Sequence, residues 1–555
     1  MSDPTSAPSE EALLAKAAQS SLPGRFAIYA RMSGPGWLQG AITLGGGSLA
    51  GALFIGILAG QNLLWIQPFA MLCGIIMLAA IAYVTLSTEA RPVETVSKHL
   101  NPILAIAWIL ATIIANVVFC VPQFSLATGT IMQNLIPSLG GSTSAPWVIG
   151  AILAVASLGI VWCYETGARG IRLFENLLKA MVGVVVVSFV AVVVMLIATG
   201  RLHLGEILSG YIPRLSLLKE PTEALAAAAA ATGINEDLWR GILAEQQRDR
   251  IIAAAGAAVG INMTFLLPYS LLRRGWSRVH REFSIVDLSI GLFVPFVIAT
   301  SCLVIAAGSQ FYNKTDDVLT AEGAVIPAMA RAYDASADAM LARKEGAAFA
   351  TASLEEKALI RAALPEADRR LAAMLASRDS AQLSATLAPM LGKTGANLVF
   401  GIGVISMAWS SIIILILMNG LAIAALFKQP DNRIVFMAGA AMPALSGFFA
   451  PVIWTGASRA ALAIPASVIA TTLLPIAYFV FLLLMNSKPA LGENRPKGAA
   501  RWIWNILMLG ATGAASFASI WALSGKGLAG DLGLAGLALL AVIGIVSFIR
   551  KSRTA

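Results

Sequence analysis

The sequence predicts an all-α membrane protein of about twelve spanning helices, built as a 5+5 inverted repeat with discontinuous helices 1 and 6. Three observations predict it. The 555 residues are 58% hydrophobic and 12% charged, with mean hydropathy +0.78, where soluble domains carry about 25% charge. Apolar runs long enough to span a bilayer recur along the chain. Two of them, the first and the sixth, are interrupted by glycine.

The elements follow in order. An N-terminal segment, 1–33, is polar and has no signal-peptide core. The first span, about 34–58, carries Gly45-Gly46-Gly47-Ser48 near its middle, and glycine costs about 1 kcal/mol relative to alanine in a helix, so an unwound stretch is expected. Unwound backbone at bilayer depth must face protein or a water-filled cavity. Spans at about 63–87, 102–135, 145–164 and 176–200 complete a first repeat, 34–200. The loop 201–250 follows. The sixth span, about 251–272, sets Gly256, Gly260 and Pro268 around the polar patch Asn262-Met263-Thr264. Spans at about 284–309, 396–427, 433–453 and 460–485 complete a second repeat, 251–485, which holds an insertion at 310–394. Two last spans, about 501–524 and 531–549, lie in the segment 486–555. The loop 201–250 and the insertion are rich in alanine and charge, and are expected as solvated, partly helical excursions.

Charge assigns the sides. One set of loops carries Lys16, Arg25, Arg31, Arg91, Lys98, Arg172, Arg273, Arg278, Lys428, Arg433, Lys497 and Arg550, while the other short loops carry only Arg459 and Lys526. The positive-inside rule then places both termini in the cytoplasm, in a cell (inner or plasma) membrane. The net charge of +9 follows from this topology and calls for no nucleic-acid partner. The partners expected are the lipid bilayer and a small-ion or small polar substrate. The four cysteines fall in apolar runs without metal-type spacing, and no cofactor is expected. Nucleotide-binding loops, zincin motifs and nucleophile elbows are absent from the sequence, which argues against an enzyme.

Four strings resemble the Nramp metal-ion transporter superfamily. They are Gly34-Pro35-Gly36, the run from Phe283 to Asp287, FGIGVISMAWSS ending at Ser410-Ser411, and the run from Leu474 to Glu493. The resemblance implies the inverted-repeat fold of the amino acid–sodium symporters and alternating-access transport. Counted from the glycine–proline–glycine string, the family's metal-binding Asp-Pro-Gly-Asn falls on Gly45 to Ser48. Its sixth-helix Met-Pro-His falls on about Asn262 to Thr264, with a one-residue shift open. Its third-helix carboxylates have no match, because Asn101 to Tyr164 contains no Asp or Glu.

Those departures set the functional expectation. A divalent cation leaves water only for compensating ligands, and this site offers no formal negative charge. Glycine backbone approaches a ligand closely, half-helix N-termini present free amides, and Ser48, Asn262 and Thr264 add neutral donors and acceptors. The expected cargo is therefore a small anion such as bicarbonate or a small carboxylate, the alternative being a divalent metal cation, Mg²⁺ or Mn²⁺. Candidate substrate-binding residues are Gly45, Gly46, Gly47, Ser48, Asn262, Met263 and Thr264. Gln123, Tyr269, Ser410, Ser411, Ser467 and Thr471 are further candidates. No metal-binding residues are expected. Na⁺ is the candidate coupling ion, the alternative being uncoupled transport, because His99, His203 and His280 lie in loops and offer no mid-membrane relay. Asp287, Glu165 and Glu175 are expected in solvated or salt-bridged roles at helix ends.

Overall fold

The computed structural model describes residues 10–164, 168–198, 200, 204–378, 382, 384, 388–453, 462–524 and 526–554. Glu165, His203 and Arg459 lie outside them. Among the described residues the chain is helical, apart from an isolated bridge between Leu319 and Val325. The membrane part consists of α1 (Pro35–Thr43), α2 (Gly46–Ala59), α3 (Ile66–Thr88), α4 (Pro102–Leu135), α5 (Ala145–Tyr164), α6 (Gly170–Ala198), α7 (Glu236–Ala258), α8 (Ile261–Arg273), α9 (Arg278–Phe311), α10 (Gly392–Leu426), α11 (Arg433–Phe448), α12 (Ala463–Asn486), α13 (Gly498–Leu523) and α14 (Gly527–Thr554). Among the described residues ten helices are long and apolar enough to cross a membrane, counting α7 with α8 as one. The bent pair α1 and α2 adds an eleventh, and α11, too short to qualify, stands where a ninth span is expected.

Both interruptions are real, and each sits differently from its expectation. Pro35 opens α1, where its missing N–H costs nothing. The chain then breaks at Leu44 and the extended Gly45, and α2 leaves at 51° to α1. Gly46, Gly47 and Ser48 are therefore not unwound; they form the first turn of α2. Their reason is proximity rather than backbone freedom. A methyl on Gly45 would collide with Ser411 Oγ, and one on Gly46 would lie 2.9 Å from Gln123 Oε1. The sixth span begins well before residue 251, because α7 starts at Glu236, and it breaks at the extended pair Val259 and Gly260.

Burial orders the bundle. The apolar window of the α7–α8 span is 94% buried inside the protein, whereas that of α14 is 6% buried and lies on the outside of the bundle. Close packing of α1 on α9 uses glycine on both sides. Gly36 and Gly40, one turn apart, lie against the backbone of Asp287 and Gly291, where any side chain would collide.

The excursions expected as solvated share a core of their own. Leu225, Trp239, Leu243, Tyr333, Met340 and Leu371 form a second hydrophobic cluster, which also takes in Leu58 at the end of α2. Inside it the buried Asp368 accepts hydrogen bonds from Trp239 Nε1 (2.7 Å) and Asn235 Nδ2 (3.1 Å). The buried Arg378 pairs with Asp317 through two nitrogens at 2.9 and 2.8 Å. This cap stands at the end of the bundle away from the basic loops. Its central helix is α7 itself.

Candidate functional site

The two breaks meet at a cavity of about 30 Å³. Its wall is Ile42, Thr43, Gly47, Ser48, Phe119, Gln123, Gly256, Ala257, Gly260, Asn262, Met263, Ser411 and Leu415. None of these residues carries a charge. Among the described residues no cluster of three or more His, Cys, Asp or Glu could hold a metal ion.

Hydrogen bonds around the breaks follow the needs of three helix ends. The last carbonyls of α1 lack intrahelical donors. Ser410 Oγ donates to Ala41 O (2.9 Å), Ser411 Oγ to Ile42 O (3.0 Å), and Ser48 Oγ to Thr43 O. At the start of α2, Gly46 N donates to Gln123 Oε1 (2.7 Å). At the start of α8, Met263 N is shared between Gly260 O (3.0 Å) and Asn262 Oδ1 (2.9 Å). A backbone N–H can only donate, so both amide side chains are fixed with oxygen toward the helix end and with NH₂ unspent. The amides of Gly47, Ser48, Ile261 and Asn262 occupy first-turn positions that have no intrahelical acceptor.

The structure brings Gly47, Ser48, Gln123, Asn262, Met263 and Ser411 together on the wall, with Gly45 and Gly46 at its edge. Other candidates sit elsewhere. Thr264 Oγ1 donates to Ile261 O at 2.5 Å and accepts from Trp108 Nε1 at 3.0 Å, so it faces α4. Ser410 is buried against α1 as a cap. Thr471 donates to Ser467 O (2.8 Å) and packs over Gly256. Ser467 Oγ is buried without a partner, close to Gly47. Tyr269 stacks on Phe265 with centroids 4.8 Å apart and opens onto a different, larger cavity on the basic face.

Thr43 was not foreseen. Its hydroxyl donates to Met263 Sδ (3.1 Å) and, more weakly, to Ala258 O (3.4 Å), tying the end of α1 to both halves of the sixth span. A threonine two residues before a glycine run was the available signal. Gln39 was also missed: it is buried, and both its amide atoms lack partners.

Asp287, expected in a solvated or salt-bridged role, is instead held by a hydroxyl and two backbone amides. It is fully buried, accepting from Ser33 Oγ (2.6 Å), Gly34 N (2.9 Å) and Gly36 N (2.6 Å). The carboxylate thus fills the anion site at the N-terminus of α1. Beside it, Arg274 bridges Glu175 (2.8 Å) and Glu10 (3.2 Å), and Trp276 Nε1 donates to Glu10 Oε2 (2.7 Å). Two of the strings that carry the family resemblance therefore touch each other, the run from Phe283 to Asp287 against Gly34-Pro35-Gly36.

A family profile described as natural resistance-associated macrophage protein-like (Nramp) matches residues 36–341 and 370–522. The chain belongs to the Nramp family. Members of that family are transporters rather than enzymes. The manganese transporter pdt1 of Schizosaccharomyces pombe is 24% identical over 301 residues, covering 52% of this chain and 53% of that protein, so the match spans about half of the relative. The fold is similar to that of a manganese transporter of Eremococcus coleocola. A histidine-to-alanine mutant of that transporter matches with TM-score 0.63 and 12% identity over 95% of this chain and 96% of the other. The same transporter in complex with an aromatic bis-isothiourea compound matches with TM-score 0.61, at the same identity and coverage. This Nramp-family chain therefore has the multi-pass membrane fold of that group, with an uncharged wall where its two broken helices meet.

Proposed function

We propose that the chain is a secondary transporter that carries a small anion, of bicarbonate or small-carboxylate size, by alternating access through the cavity between the two breaks. The observation that carries this reading is the orientation of Gln123 and Asn262. Each spends its carbonyl oxygen on a backbone N–H, which leaves NH₂ donors on a wall with no carboxylate. Uncapped first-turn amides of α2 and α8 add to that donor excess, while serine hydroxyls cover the carbonyl end of α1. A cavity of about 30 Å³ holds about two water molecules, the size of a small polyatomic ion.

A second reading is a divalent cation, Mn²⁺ or Mg²⁺. The relatives named above are manganese transporters, and the Met263 thioether with the hydroxyls of Thr43 and Ser48 gives softer and oxygen donors on the same wall. That cargo would keep part of its water shell, since no carboxylate offsets its charge. In both readings the termini and the basic loops face the cytoplasm of a plasma or inner membrane, with Na⁺ as the candidate coupling ion.

Uptake into proteoliposomes separates the two. Labelled bicarbonate, Mn²⁺ and Mg²⁺ are each tested on the wild type, Gln123→Ala and Asn262→Ala. Saturable bicarbonate uptake that both substitutions weaken supports the anion. Saturable Mn²⁺ or Mg²⁺ uptake without bicarbonate flux overturns it in favour of the metal.

A further inference from the structure

The cavity that takes in Tyr269 measures about 920 Å³ and opens on the basic face, between α4, α8, the end of α10 and the helix Pro92–His99. It is far larger than the transport cavity and shares no lining residue with it. Five cations line it, Arg91, Lys98, Arg273, Lys428 and Arg433, against two carboxylates, Glu94 and Asp431. Cations outnumber carboxylates on the lining. Arg91 reaches Glu94 only at 3.9 Å and Asp431 at 4.0 Å, and Asp431 is 95% exposed. Just beyond the rim, burial and then the charges of Lys98 and Lys551 hold His99 below the usual imidazole range.

One side of the cavity is apolar and reaches the outside of the bundle. Ile106 lines it and is 48% exposed, and the neighbouring Ile103 and Leu110 on the same helix are also exposed to the lipid side. On the floor Arg273 lies over the Tyr164 ring at 4.4 Å, which fixes its guanidinium beside the opening. A concave cationic rim with an apolar flank open to lipid matches an amphiphile with an anionic head. A small soluble anion would have no use for the flank.

We propose that this cavity is a binding site for an anionic phospholipid of the leaflet on the basic face, its phosphate held by Arg91, Lys98, Lys428 and Arg433 and an acyl chain lying along Ile106 of α4. Basic pockets between spanning helices are suited to such headgroups. The site stands apart from the transport cavity, so the assignment does not depend on which cargo the protein carries.

The test is native mass spectrometry of the purified full chain titrated with phosphatidylglycerol, with phosphatidylcholine and inorganic phosphate in parallel. The expected result is retained phosphatidylglycerol that neither of the others replaces. Binding should weaken about fivefold for each cation removed in Arg91→Gln, Lys428→Gln and Arg433→Gln. Lys488→Gln with Arg495→Gln, on the same face outside the cavity, should leave it unchanged. Ala425→Trp, which fills the cavity without altering charge, should abolish it. Equal loss in the Lys488/Arg495 variant, or intact binding in Ala425→Trp, would show a diffuse basic surface and overturn the site. Displacement by inorganic phosphate would overturn the lipid.

Discussion

At the scale of the residue, the site is governed by which atoms are already spent. Gln123→Glu keeps an acceptor for Gly46 N and exchanges the NH₂ donor for a second carboxylate oxygen. Bicarbonate uptake should disappear, and Mn²⁺ binding, measured by calorimetry, should appear or tighten; unchanged bicarbonate uptake would remove the role given to this side chain. In Gly46→Ala the new methyl lies 2.9 Å from Gln123 Oε1 and 3.0 Å from Leu126 Cδ2. Losing that hydrogen bond is worth about 1 kcal/mol, so KM for the cargo should rise about fivefold with the fold intact by thermal melting. The places of Ser48 and Asn262 on the wall were legible because each stands beside a helix break in the sequence, whereas Gln123 reaches the wall from inside α4. Those of Tyr269 and Thr264 were not, since sequence order along a helix does not say which face meets the cavity. Met263 was ambiguous at one residue, and the structure sets both it and Asn262 on the wall.

At the scale of the element, the decisive contact is α1 against α9. The Gly36 and Gly40 pair lets the two backbones touch, and Asp287 seals their ends through three donors. Hydrogen bonds to a charged group contribute about 1.5–3 kcal/mol each. Asp287→Asn should therefore loosen the start of α1 by a few kcal/mol, seen as faster amide exchange over residues 33–40 while the core of α4 stays protected. Exchange identical to the wild type would mean that glycine packing alone holds α1. Both breaks were legible from glycine in apolar runs, but their registers were not. Glycine marks either an unwound backbone or a close approach, and here Gly46 and Gly47 serve the second while Leu44 does the unwinding.

At the scale of the whole molecule, spans and basic loops were readable from hydropathy and charge, which act through composition alone. The cap was not. Its core joins residues from two separated segments and from α2, a long-range arrangement that alanine-rich, charged sequence does not advertise. Trp239 is fully buried there and donates to the buried Asp368. Trp239→Ala removes a large core side chain and one partner of a buried carboxylate, at a cost of about 3–5 kcal/mol. Limited proteolysis should then cut within residues 312–378 at protease levels that the wild type resists. Resistance equal to the wild type would show that the cap does not depend on α7.

That dependence gives the molecule a handle. A 23-residue helix is about 35 Å long, and a tilt of about 5° carries its far end through about 3 Å. The cap grips one end of α7, and Gly260 lies just past the other, so anything that seizes the cap works as a hand on a crank. An antibody fragment against the cap would set the aperture at the break without entering it, slowing or trapping transport while leaving the empty cavity's chemistry untouched.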